Sequence, residues 1–380
     1  MAISFLFASD SFKGSLSSQR AGELLQKAAQ EVFPSCVCRS IQMADGGEGT
    51  TDAVLASVQG EKIHLTVHDP LYREHHCYYG KLNQSQAIME MASASGLPLV
   101  ESEKRNPLFT TSFGTGEMIR HALDQGFTDI RIAIGGSATN DGGMGAMTAL
   151  GVRFLDADGN ALLGFGKDLA QVRSIDTTHL DPRIASTTFT VMCDVNNVLC
   201  GKHGATYTFG RQKGATDETL PILEAGMQNL RDVIKTQFGI DCDQIPGAGA
   251  AGGLGAALLV FLKAQLQSGV ECVLDLVHFD KALQGVDYVI TGEGATDWQS
   301  CFGKVLQGVG MHSKAHSVPA FAIVGSMGKG AEDIMVYGIE SIITTVNAPM
   351  DLSHAMLHTE GLYKSAAKRL FRLIKAVRKE

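Results

Sequence analysis

Residues 130–145 read IRIAIGGSATNDGGMG. The first five are too apolar, and alternate too little, for an exposed segment. They predict a buried strand of a mainly parallel sheet. Gly135, Gly136, Gly142 and Gly143 follow, interleaved with Ser137, Thr139, Asn140 and Asp141. A buried strand that ends in glycine and small polar residues delivers backbone N–H groups and short side chains to one point. In open α/β sheets that point, just past the carboxyl ends of the strands, is where ligands bind. Glycine lets the backbone approach an anion, and a helix start beyond it adds a favourable dipole. The same residues also describe a tight turn into a helix capped by Asn140 or Asp141. One loop does not separate the two readings, so the rest of the chain has to.

Working outward, an apolar strand over 3–8 opens into SDSFKGSLSS and a helix over roughly 18–33. A second strand, 37–43, opens into ADGGEGTTDAV and another helix. Two βα units within about fifty residues set the class as α/β. From about residue 60 the texture changes: KIHLTVHDP, REHHCYYGKL and QAIMEMAS read as strands of antiparallel or mixed sheet. PGAGAAGGLGAALLVFLKAQL predicts a long apolar helix starting at about Ala248. The α/β rhythm then returns in VDYVITGEGATD, AFAIVGSMGKG and ESIITTVNAP, and an amphipathic basic helix closes the chain. The distribution predicts a doubly wound, mainly parallel sheet (Rossmann-like, three-layer α/β/α) formed by residues 1–64 and 286–380. An inserted α/β domain of mixed sheet, residues 65–285, interrupts it.

The totals agree with a globular chain of two domains: 380 residues, 44% hydrophobic and 19% charged. A net charge of −8 without a basic block outside the last helix argues against nucleic acid as a partner. No run approaches the roughly 18 apolar residues of a membrane span. The eight cysteines fit neither a zinc spacing nor a disulfide framework, and the N-terminus reads as a strand; a reducing cytoplasm is the expected setting. Oligomeric state is left open between monomer and homodimer.

Polar clusters follow apolar strands six times, at 10–15, 45–50, 135–143, 194–201, 292–297 and 325–328. Six such clusters predict one shared ligand cleft. It is rich in Gly, Ser, Asp and Glu, with Lys13, Lys213 and Lys304 close in sequence to three of them. Lysines and N–H groups suit phosphoryl oxygens, carboxylates suit Mg²⁺, and one aspartate suits an attacking hydroxyl. Taken singly, each lysine reads first as solvated, and Asp45 and Asp194 read equally as turn or cap residues. Glu293, between two glycines after an apolar strand, favours a ligand or metal contact. Gly247, Gly249 and Gly252 satisfy GxGxxG, but IDCDQIP before them is no buried strand, so the dinucleotide context fails. No GxxxxGK[ST] occurs. His312 with His316, and His64 with His68, read as surface or packing residues.

At these same segments the chain resembles the bacterial glycerate kinase family, the glycerate 2-kinases of glyoxylate and aldarate breakdown. The likeness runs through ASDSFKGSLSS, ADGGEGT, FGTGE, GGSATNDGGMGA, CDVNNVLCG, RQKGAT, PGAGAAGGLGA and GEGATDWQS. It implies a two-domain α/β enzyme, with its cleft between the domains, that transfers phosphate from ATP with Mg²⁺ to D-glycerate, at the 2-hydroxyl. On that reading Lys13 and the 135–143 loop bind anionic oxygens. Asp10, Ser11, Asp45, Gly46, Gly47, Lys213 and Lys304 line the site, and Glu48 and Glu293 are the metal candidates. Asp194 is the first choice to orient or deprotonate the hydroxyl, and Asp297 the second. The family pattern has arginine and an apolar residue after GEG, where this chain has Ala295 and Thr296; prolines of the pattern are replaced by Val198, Arg211 and Leu306. The rival readings are a kinase of another small hydroxy acid, a kinase forming 3-phosphoglycerate, and a non-catalytic sensor of hydroxy acid or nucleotide.

Overall fold

The computed structural model describes residues 2–301 and 303–378. Its strands in chain order are β1 (Ser4–Ser9), β2 (Val37–Ser40), β3 (Glu61–His68), β4 (Glu74–Lys81), β5 (Gln86–Glu90), β6 (Asp129–Ala133), β7 (Arg153–Leu155), β8 (Ser174–Asp176), β9 (Thr188–Met192), β10 (Gln265–Gln267), β11 (Tyr288–Thr296), β12 (Ala320–Met327) and β13 (Ile339–Thr344). By residue contacts the chain forms two compact units. The first holds residues 1–45, 52–58 and 268–380; the second holds 46–51 and 59–267. Residues 268–285, expected with the insert, belong to the first unit because the helix Gly269–Leu276 packs against the helix Val305–Ala315.

The first unit is built on a five-stranded sheet of order β13-β12-β11-β1-β2, parallel at every pairing. Phe5 and Phe7 of β1, with Ile290 and Ile323, pack on the helices Ser18–Val32 and Thr359–Val377 through Leu24, Leu25, Phe371 and Ile374. The alternate residues Leu6, Ala8 and Val289 are also buried, so the strands are covered on both faces, as a parallel sheet requires. The helix Val305–Ala315 packs against β11 and β12. Helix Ser18–Val32 starts where the Ser17 side chain accepts the Arg20 N–H at 3.1 Å. That satisfies one of the four N–H groups a helix start leaves open. The basic C-terminal helix buries Tyr363, Ala367, Leu370 and Phe371 in this core, so its apolar face is docked.

The second unit is a six-stranded mixed sheet of order β10-β9-β6-β5-β4-β3. From β10 to β5 the strands are parallel, and the β5/β4 and β4/β3 pairs are antiparallel. Ile130 and Ile132 of β6, fully buried with Met89 and Val191, are part of one core that also takes Met144, Met147 and Leu254. A two-stranded β7–β8 ribbon lies outside this sheet.

One element departs from expectation. The long apolar helix expected from Ala248 is a short helix, Leu254–Phe261, and Gln265 and Leu266 at the end of that run enter β10. Ala251, Gly252 and Gly253 all have left-handed backbone, at φ 53°, 67° and 90°. Three such residues in a row cannot continue a right-handed helix. Their use is a close approach: a methyl group at Gly252 would lie 2.0 Å from the Thr139 carbonyl oxygen.

Candidate active site

In the first unit, β1 is followed by β2 on one side, while β11, β12 and β13 build outward on the other. The strand order therefore reverses between β1 and β11, the switch point at which open α/β sheets bind ligands. Asp10 stands there, just past β1, its amide donating to the Gly292 carbonyl at 2.8 Å. A cavity of about 810 Å³ opens at this carboxyl edge, lined by Asp10, Ser11, Lys13, Asp45, Glu293 and Lys304. Val346, Met350, Leu352 and Met356 contribute to its lining beyond β13.

Three carboxylates in so small a space repel one another. Burial, then the neighbouring Asp45, pushes the Asp10 carboxyl up to about 7; Glu293 adds to this, while the Ser11 N–H and Lys13 oppose it. Glu293 is buried on β11 and accepts the Ser300 hydroxyl. Burial raises its carboxyl against that hydrogen bond and the pull of Lys304. Such a set takes up a cation or a proton with little reorganisation. Asp297 is not among the cavity's lining residues; its carboxylate accepts the Gln299 N–H at 2.8 Å, shaping the turn after β11.

In the second unit the opening stretch divides in two. Gly135 and Gly136 are exposed just beyond β6, with Gly136 at φ 74°. Ser137, Thr139, Asn140 and Asp141 are buried. Asp141 accepts four hydrogen bonds: from the Ser112 N–H and hydroxyl at 2.7 Å each, Gly143 N–H at 3.1 Å and Gly145 N–H at 3.3 Å. Burial raises its carboxyl, and these four donors oppose the rise. Asn140 donates to the Thr206 hydroxyl at 3.1 Å. Of the sequence candidates in this loop, Asn140 and Asp141 hold it in shape, and the two leading glycines face outward.

Lys213 was expected to be either solvated or a phosphate contact, and it is neither in this geometry. Only 2% exposed, its ammonium donates to Ser137 Oγ and the Thr139 carbonyl, both at 2.7 Å. Burial drives its pKa down to about 7, against the attraction of Asp141. It ties the turn Arg211–Lys213 to the glycine-rich loop. Gly46 and Gly47 lie beside Gly135, 3.7 Å from where its methyl group would be, and Glu48 is exposed between them and Gly49. Asp194 is exposed directly after β9 and Cys193.

Two groups escaped the sequence reading. Glu90, at the end of β5, is buried and accepts the N–H groups of Gly49 and Thr51 at 3.2 and 2.7 Å, fixing the acidic loop. A lone acid closing the apolar run QAIME was its available signal. The segment 346–356 lies outside the six polar clusters, and its Val346, Met350, Leu352 and Met356 carried no signal of a ligand. Of the histidines, His312 bonds Asp280 at 2.6 Å and Glu271 at 3.1 Å, and His68 bonds Glu117 at 3.0 Å; both are packing residues between helices or strand and helix.

A sequence model described as the glycerate kinase family matches residues 5–375. The chain belongs to the glycerate kinase family. Among relatives, a glycerate kinase of Halalkalibacterium halodurans is 42% identical over 366 residues, 96% of each chain. A glycerate 2-kinase of Escherichia coli is 42% identical over 351 residues, 92% of each. A solved crystal structure of a Salmonella typhimurium LT2 protein assigned as glycerate kinase 2 superposes with a TM-score of 0.89 at 39% identity, covering 99% of both chains. Members of the glycerate kinase family are phosphotransferases acting on an alcohol group, and the α/β architecture expected from the motifs is that of the fold. Among the described residues no helix is long and apolar enough to cross a membrane.

Proposed function

We propose that this chain transfers the γ-phosphoryl group of ATP to the 2-hydroxyl of D-glycerate, giving 2-phospho-D-glycerate. The observation that carries the reading is the switch-point cavity. Asp10, Asp45 and Glu293 share it with Lys13 and Lys304, in a chain of the glycerate kinase family. The 42% identity to a glycerate 2-kinase supports the 2-position over the 3-position.

The donor set suits Mg²⁺. That ion takes one or two protein carboxylates and completes an octahedron with phosphate and water oxygens, and Asp10, Asp45 and Glu293 are hard oxygen donors. Among the described residues no three His, Cys, Asp or Glu side chains form a metal cage by themselves, so phosphate oxygens would belong to the shell. When bound, Mg²⁺ supplies charge neutralisation on the phosphates. Lys13 and Lys304 hold phosphoryl oxygens as point charges. The exposed N–H groups at Gly135 and Gly136 receive an anionic oxygen, as a nest does. Asp194 orients or takes the proton of the hydroxyl during in-line attack, with Asp297 a weaker candidate because its carboxylate already serves a turn. Glu48, exposed on its loop, is an alternative metal contact.

Purified protein incubated with MgATP and D-glycerate tests this, with the product read by phosphorus NMR. A 2-phosphoglycerate resonance is expected. A 3-phosphoglycerate resonance overturns the regiochemistry, and ATP consumed only with another hydroxy acid overturns the acceptor.

A further inference from the structure

We propose that the cavity at the carboxyl edge of the five-stranded sheet is the nucleotide subsite, with the base seated on the apolar wall of Val346, Met350, Leu352 and Met356. The inference rests on the kinase reading above and names where the phosphoryl donor sits.

The cavity is mixed in character. Its lining joins Asp10, Asp45 and Glu293 with two lysines to an apolar group, Val346, Met350, Leu352 and Met356, from the segment beyond β13. Including Asp351, the lining holds four acids against Lys13 and Lys304. That balance repels a bare hydroxy-acid anion, which brings no cation of its own. It suits a polyphosphate that arrives bridged by Mg²⁺, whose positive charge the carboxylates meet. A volume of about 810 Å³ lies in the range of about 300–1,000 Å³ that holds cofactor-sized molecules. A three-carbon acid would leave most of it empty.

The apolar group has the chemistry of a base platform. Met356 is 38% exposed and Leu352 75% exposed, an apolar exposure that a flat ring would cover. Methionine adapts its shape and makes favourable sulfur–aromatic contacts. The platform is also anchored. The Thr345 N–H donates to the Val324 carbonyl at 2.8 Å, Asp351 accepts the His354 N–H at 2.7 Å, and the Thr359 hydroxyl donates to the Ala355 carbonyl at 2.9 Å. An anchored apolar segment in the same cavity as lysines and carboxylates is the pairing a nucleotide needs, apolar contact for the base and charged groups for metal and phosphates.

The test separates base from phosphate. Leu352→Ala and Met350→Ala are titrated calorimetrically with MgADP, magnesium pyrophosphate and D-glycerate; Leu352 is largely exposed, so its variant folds without repacking a core. Each variant is expected to weaken MgADP about tenfold and to leave pyrophosphate and glycerate within about twofold. Equal loss of ADP and pyrophosphate, unchanged ADP affinity, loss of glycerate alone, or a wild type that does not bind MgADP each overturns the subsite. Phosphoryl transfer is assayed in parallel. A wild type that binds MgADP with the expected variant pattern but never phosphorylates glycerate refutes the kinase reading and leaves the subsite standing. Transfer with variants that bind MgADP normally does the reverse.

Discussion

Asp141 offers the sharpest test of how the glycine-rich loop works. The substitution Asp141→Asn keeps the size and shape of the side chain and removes one acceptor and the charge. In the native loop Oδ2 accepts from Ser112 N–H, Ser112 Oγ and Gly145 N–H, while Oδ1 accepts from Gly143 N–H. An asparagine with its oxygen at the Oδ2 place keeps three of these, now without charge assistance. Its NH₂ then faces the Gly143 N–H, donor against donor, in a site with no exposed surface. A buried donor left unsatisfied costs about 1–3 kcal/mol, and hydrogen bonds to a charged group lose roughly 1 kcal/mol each on neutralisation. Against this stands the relief of no longer burying a charge, since burial already pushes the carboxyl upward. The balance is a loss of roughly 2–4 kcal/mol.

The probe has to sit in the right unit. The single tryptophan, Trp298, lies in the first unit, so its fluorescence does not report on this loop. Amide hydrogen exchange in the helix Met144–Ala149, which starts on the Asp141 bonds, reads the local opening free energy directly. Protection there is expected to fall by about 30-fold or more, following from the roughly 2 kcal/mol lower bound. Unchanged protection combined with lost glycerate or nucleotide affinity would refute the reasoning and return Asp141 to ligand binding.

Two further outcomes follow from the same interlocked loops. Lys213, driven down to about 7 by burial, is protonated in both folded and unfolded chains below that pH. Between about 7 and the unfolded value near 10.4 the unfolded chain binds more protons, so this group makes stability rise with pH, by up to about 1.4 kcal/mol per unit. In urea denaturation across that window, wild type minus Lys213→Met should show this slope, and a flat difference would mean the ammonium stays charged. Gly252→Ala puts a methyl group 2.0 Å from the Thr139 carbonyl at a backbone φ of 67°. Left-handed strain and backbone displacement together should cost roughly 2 kcal/mol or more, and a thermal midpoint equal to wild type would show that the 250–253 segment does not clasp the loop.

Much of the fold was legible because its signals are local. Apolar runs ending in glycine and small polar residues mark parallel strands opening into loops, and both sheets obey that pattern. The motif strings carried family membership for the same reason, since each is a short contiguous stretch. The C-terminal helix was readable from its apolar stripe, which Leu370, Phe371 and Ile374 bury. The run after Pro246 misled because composition alone favours helix in a stretch of alanine and leucine. What stopped it was the left-handed backbone at 251–253, imposed by contact with residues about 110 positions earlier in the chain, at Thr139.

By itself the sequence determined the α/β class, the loops that bear polar residues and the family to which the chain belongs, because periodicity and motif spacing are properties of neighbouring residues. Only the tertiary structure decided which polar residues meet. It set Asp10 beside Gly292 across β1 and β11, buried Lys213 against Ser137 and Thr139, gave Glu90 to the acidic loop and placed methionines from beyond β13 on the wall of the switch-point cavity. Burial, which turns a lysine from a solvated charge into a loop tie, depends on strand order and long-range packing, and neither is written in the spacing of adjacent residues.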